Sequence, residues 1–81
     1  MMGHVDNVET WLSAEVADLL QLDKVLPTDD FLVLGGASLT AMELAVRVQQ
    51  RFSIELPLAD IFEATSIAGI AEMIRAAASS V

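Results

Sequence analysis

Ser38 follows the glycine pair Gly35-Gly36 by one residue and heads a strongly helical stretch, Leu39 to Phe52. A hydroxyl so placed could attack a substrate, accept a group from another enzyme, or cap a helix. Its neighbours argue against attack. A nucleophile elbow needs glycine on both sides of the serine, G-x-S-x-G, and Thr40 holds the second glycine position. A serine nucleophile also needs a base, and the sole histidine is the remote His4. The chain therefore reads as a non-enzyme. Gly35-Gly36 lacks the upstream glycine and following lysine of a phosphate-binding loop. Asp29-Asp30 lacks the spaced ligands of a calcium loop and is expected to cap or solvate its own loop. No metal site is expected.

Two readings of Ser38 stand on local grounds. It can cap the following helix, a common task for serine. It can also bear a phosphodiester, because the free N–H groups and dipole at a helix N-terminus stabilise negative charge. Gly35 and Gly36 lower the profile of the loop so that a modifying enzyme can approach, and Leu39 offers that enzyme an apolar anchor.

The bulk properties bound the rest. Eighty-one residues make one domain near the small end of what folds alone. There is no cysteine to supply disulfides or thiolate ligands, and 54% of residues are hydrophobic, so helix packing must provide the core. No apolar run reaches the roughly 18 residues that span a membrane, and no signal peptide is visible, so a cytoplasmic protein without membrane contact is expected. The net charge of −8 disfavours nucleic acid. The charge is uneven. Residues 1–30 hold seven carboxylates against Lys24 alone, net −6, and residues 31–81 hold five against three arginines, net −2.

Four helices can position the serine. Over 8–20, Val8, Leu12, Val16 and Leu19/Leu20 share one face with Trp11 at its edge, and Asp6 or Asn7 can cap the start. Residues 21–37 read as a long loop, broken by Pro27 and Gly35-Gly36. Its Leu22, Val25, Leu26, Phe31 and Leu34 are too apolar to be left in water, with Phe31 and Leu34 expected as pegs into the core. The second helix, 38–52, turns Ala41, Leu44, Ala45, Val48 and Phe52 inward. It places Leu39, Met42, Glu43, Val46 and Arg47 on the other side, either as a docking strip or as a second buried face. Pro57 opens a short helix, Leu58 to Glu63. Thr65 or Ser66 caps the last helix, whose stripe is Ile67, Ile70, Ala71 and Ile74 with Met73 alongside, and Ala76 to Val81 is expected to fray. No stretch alternates as a strand. The fold class is all-α: a four-helix bundle with a long first loop and a short third helix.

Asp29 to Leu39 resembles the modification motif of phosphopantetheine-dependent carrier proteins, commonly D-x-F-F-x-L-G-G-x-S-L. Ala41-Met42-Glu43-Leu44 with Arg47 to Phe52 is similar to the family's second helix. Glu55-Leu56-Pro57-Leu58 with Ile61-Phe62 is similar to its V-x-L-P-x-x-x-L-F segment. Thr65 to Ala71 resembles its final helix, and Leu19-Leu20 with Leu22 and Val25 the end of its first. The likeness covers roughly residues 8–76 of a single carrier domain spanning 1–81.

The resemblance implies an acyl-carrier-type bundle with 4′-phosphopantetheine, drawn from coenzyme A, on Ser38. Its thiol would hold acyl or aminoacyl chains as thioesters, so the missing cysteines cost nothing. Partners implied are a phosphopantetheinyl transferase, a loading ligase, adenylation enzyme or acyltransferase, and ketosynthase, condensation or tailoring enzymes. Docking would use Leu39, Met42, Glu43, Val46 and Arg47, with Ile61 and Phe62 nearby, and the carrier would act as a monomer. Carriers of bacterial fatty-acid synthesis resemble one another in a strongly acidic second helix. Here that helix holds Glu43 against Arg47 and Arg51, and Gly36 stands where alanine is frequent. Both point to polyketide or nonribosomal peptide biosynthesis. A fatty-acid or cell-envelope carrier, or an unmodified interaction module, are the alternatives. The initial methionine and the length suggest a discrete carrier acting in trans over an excised domain. Ala37 and Val33 depart from the family pattern. Ala37 replaces a polar residue, usually Asp or His, which predicts slower modification.

Overall fold

In a computed structural model the structure describes residues 8–35 and 38–79, with nothing described of the Ser38 and Ser79 side chains. Four helices follow in order: α1 (Val8–Leu20), α2 (Ser38–Phe52), α3 (Leu58–Ala64) and α4 (Ile67–Ser79). α1 lies against both α2 and α4, and α3 closes the gap between α2 and α4. The expected helix spans hold, except that α4 continues through the Ala-rich stretch to Ser79, with Ala77 packed on the core. Alanine's high helix propensity carries that last turn. The caps expected from Asp6 or Asn7, and the positions of His4, Gly36 and Ala37, lie outside the described residues.

The core follows the helical spacing. Val8, Leu12 and Val16 from α1, Ala41, Leu44 and Val48 from α2, and Ile67, Ile70, Ala71 and Ile74 from α4 are fully buried. Trp11 and Phe52 meet edge to face at 5.2 Å between ring centroids, tying α1 to the end of α2. Burial of this apolar surface is what holds so short a chain together.

Three helices end on a residue with positive φ that is not glycine: Gln21 after α1, Ser53 after α2 and Thr65 after α3. At the end of α1, Gln21 (φ 60°) lets the Leu22 N–H reach the Ala17 carbonyl at 2.8 Å and its own N–H reach Asp18 at 3.3 Å. That is the paired bonding of a Schellman end, in which glycine is the usual residue. Ser53 (φ 60°) ends α2 similarly, donating its N–H to the Gln49 carbonyl at 2.8 Å.

The long loop is pinned by Phe31, which is fully buried, with Val25 also buried and Leu34 half-buried. Leu22 and Leu26 are not drawn in, contrary to expectation. They stay exposed because the Schellman end and the turn at Asp29 point the chain outward at those positions. No strand was expected. The one β-type pairing among the described residues is an isolated antiparallel bridge, Asp30 with Ser66, which fastens the loop to the corner between α3 and α4.

Candidate functional site: the loop and helix start at Ser38

Ser38 is the first residue of α2. The loop that delivers it is braced from within by the two expected aspartates. Asp29 Oδ2 accepts the Leu26 N–H at 2.9 Å, and Asp30 Oδ1 accepts the N–H groups of Leu32 and Val33 at 2.8 and 3.2 Å. The Leu34 N–H reaches the Asp30 carbonyl and the Gly35 N–H that of Leu32. Each carboxylate thus folds a short turn back on itself. Gly35 sits at φ 111°, where a side chain would be strained, although a Cβ there would meet nothing within 4 Å. Backbone need, as well as a low profile, calls for glycine there.

Beyond Ser38 the outer face of α2 is apolar and uncovered. Leu39 is 68% exposed, Met42 and Val46 51% each. Glu43 is exposed between them. The reading of this helix as buried on two sides therefore fails, and the strip stands open. Upstream on the loop, Val33 is 83% exposed and Leu32 is exposed too.

Two of the residues expected on this surface lie elsewhere. Ile61 is fully buried, because α3 turns it into the core, and it presents nothing to a partner. Phe62, next to it, is half-buried against the core. Arg47 leans off the strip toward α1. Its Nη1 bonds Glu15 at 2.7 Å and Asp18 at 3.0 Å, and those bonds, Glu15's foremost, raise the guanidinium's already high pKa. Part of the acidity of the first thirty residues is thus neutralised by α2. The sequence had separated the two segments by charge without showing that one arginine joins them.

A groove of about 310 Å³ runs between α2 and the connection to α3, lined by Ala45, Val46, Gln49, Glu55, Leu56, Pro57 and Leu58. It was not anticipated, since it needs a helix face and an extended segment brought side by side. Among the described residues no cluster of three or more His, Cys, Asp or Glu could hold a metal, and no helix is long and apolar enough to cross a membrane.

Residues 10–74 match the family described as the phosphopantetheine attachment site. The chain is 36% identical over 76 residues to bacitracin synthase 3 of Bacillus licheniformis, covering 94% of this chain and 1% of that protein. It is 45% identical over 74 residues to surfactin synthase subunit 3 of Bacillus subtilis (strain 168), covering 91% and 6%. It thus spans only a small part of either relative. Among solved structures it is similar to BlmI, a type-II acyl-carrier-protein from Streptomyces verticillus involved in bleomycin biosynthesis. The TM-score is 0.83 at 30% identity, covering 89% of this chain and 87% of that one. It is also similar to a chain in the complex of the phosphopantetheine transferase Sfp with coenzyme A and a peptidyl carrier protein. There the TM-score is 0.82 at 29% identity, covering 85% and 90%. With a four-helix fold, the motif loop and an open α2 face already in place, the chain belongs to the phosphopantetheine attachment family, as a carrier domain of the nonribosomal-peptide-synthetase type.

Proposed function

We propose that Ser38 carries the 4′-phosphopantetheine arm and that the chain presents acyl or aminoacyl thioesters on it to the enzymes of a nonribosomal peptide or polyketide assembly line in the cytoplasm. The observation that carries this reading is the position of Ser38. It opens α2 at the end of a braced, glycine-bearing loop, beside an uncovered apolar strip. The residues present fit the group. The first turn of α2 holds no carboxylate to oppose a phosphodiester, and a Cβ at Gly35 on the delivering loop would meet nothing within 4 Å. When bound, the arm supplies the thiol that this chain lacks. The chain's own residues position the arm and do no chemistry.

Leu39, Met42, Glu43 and Val46 form the docking face, with Phe62 at its margin and Arg47 reachable only where it leaves α1. Its users are a phosphopantetheinyl transferase, a loading ligase, adenylation enzyme or acyltransferase, and a condensation, ketosynthase or tailoring enzyme. The carrier works as a monomer. Incubation with coenzyme A and a broad-specificity phosphopantetheinyl transferase should add one phosphopantetheinyl group by intact mass, and Ser38→Ala should add none. A wild-type chain that gains no mass defeats the carrier reading in favour of an unmodified interaction module.

A further inference from the structure

We infer that residues 26–35, the loop leading to Ser38, form a spring-loaded latch held shut on a strained turn at Thr65, so that the loop opens as a unit while the helices stay packed. Thr65 lies between α3 and α4 with φ 62° and ψ −59°. The Ser66 N–H closes a three-residue ring onto the Ala64 carbonyl at 2.7 Å. This is the rare and strained form of γ-turn, and a β-branched residue is among the least suited to positive φ. Such a conformation persists only where the surroundings enforce it.

The loop enforces it. The Phe31 N–H donates to the Thr65 carbonyl at 2.7 Å, and the Asp29 and Pro27 carbonyls accept the N–H groups of Ile67 and Ala68 at 3.0 and 2.8 Å. The loop is therefore the cap of α4's first turn, alongside Ser66, whose Oγ accepts the Gly69 N–H at 3.0 Å. A second observation shows how tightly the corner is drawn. A Cβ added at Gly69 would lie 2.8 Å from the Ala64 carbonyl oxygen. That same oxygen already accepts the Thr65 hydroxyl and the Ser66 N–H.

Opening breaks three hydrogen bonds and exposes Phe31, but it releases Thr65 from its turn. The internal bonds of Asp29 and Asp30 let the segment move without coming apart. The three bonds lie at Pro27, Asp29 and Phe31, seven or more residues before Ser38, so opening sets how freely the segment that delivers that serine moves. Only this last consequence rests on the assignment of the arm to Ser38.

Native-state hydrogen exchange by NMR tests the latch on the unmodified chain. The amides of Phe31, Ile67 and Ala68 should exchange together, and faster than those of Val16 and Val48 within α1 and α2. Thr65→Gly removes the strain and should slow the three by roughly three- to ten-fold relative to Val16 and Val48. Gly69→Ala crowds the Ala64 carbonyl and should speed them. Exchange of the three at the same rate as Val16 and Val48, or no slowing in Thr65→Gly, overturns the latch even if Gly69→Ala fails to fold. Initial rates of modification by the transferase should fall about as much in Thr65→Gly as exchange does, since only the open fraction is competent; an unchanged rate overturns the link to Ser38. If the wild type is never modified, the assignment of Ser38 fails and exchange alone judges the latch.

Discussion

The two faces of α2 hold similar residues and meet opposite fates. Ala41, Leu44 and Val48 on the inner face are fully buried, whereas Leu39, Met42 and Val46 on the outer face are half or more exposed. Apolar content does not separate them; cover by other helices does. An apolar residue that folding leaves in water contributes little to stability, so the outer strip does little to hold the fold. Arg47 stands at the border, committed to α1 through Glu15 and Asp18.

The comparison breaks most readily at Leu44. Leu44→Ala should lower unfolding free energy by about 2–5 kcal/mol in urea titration, the usual range for a fully enclosed leucine. A loss well under 1 kcal/mol would mean the inner face is not core. At the border, Arg47→Ala should cost at most about 1 kcal/mol, because the cluster is partly solvated. The loss should shrink as salt is raised and vanish in a Glu15→Ala, Asp18→Ala background. A cost that ignores salt would assign Arg47 to packing. At the end shared by both faces, Ser53→Gly should be neutral to stabilising by about 0.5 kcal/mol, since glycine takes φ 60° without strain; a clear loss would show that the Ser53 side chain matters there. The smallest effect belongs to the outer strip. Met42→Ala and Val46→Ala should each change stability by about 0.5 kcal/mol or less, while weakening binding to a loading enzyme measured by calorimetry. Unaltered binding would remove them from the docking face.

Much of this was legible in the residues. Val8, Leu12 and Val16, and likewise Ile67, Ile70 and Ile74, repeat at helical spacing long enough to fix both element and face. Ser38 stood out because a glycine pair, a serine and a helix start coincide. Ile61 was misplaced because α3 has only seven residues, too few for the period to tell its inner face from its outer one. Arg47 was assigned to the outer face by spacing alone. A long flexible stem can swing to carboxylates on a neighbouring helix, and spacing within one helix carries no record of that. The bridge from the loop to the α3–α4 corner was invisible for a related reason. It is made of backbone atoms, which are the same whatever the side chains. Ser13 adds a smaller case. It lies on α1 with its hydroxyl buried and no protein partner, an outcome of packing that no local pattern signals.

The bonds from Pro27, Asp29 and Phe31 to the start of α4 join stretches more than thirty residues apart, whereas each helix closes its bonds within itself. Closing so long a loop carries an entropic cost that local helix formation avoids. In kinetic terms the segment before Ser38 should settle last in folding and be lost first in unfolding. During synthesis Ser38 is joined to the chain 27 residues before Thr65 and 30 before Ala68. Its approach therefore takes its final shape only once nearly the whole domain has emerged, so this domain cannot offer a finished site from a half-built chain.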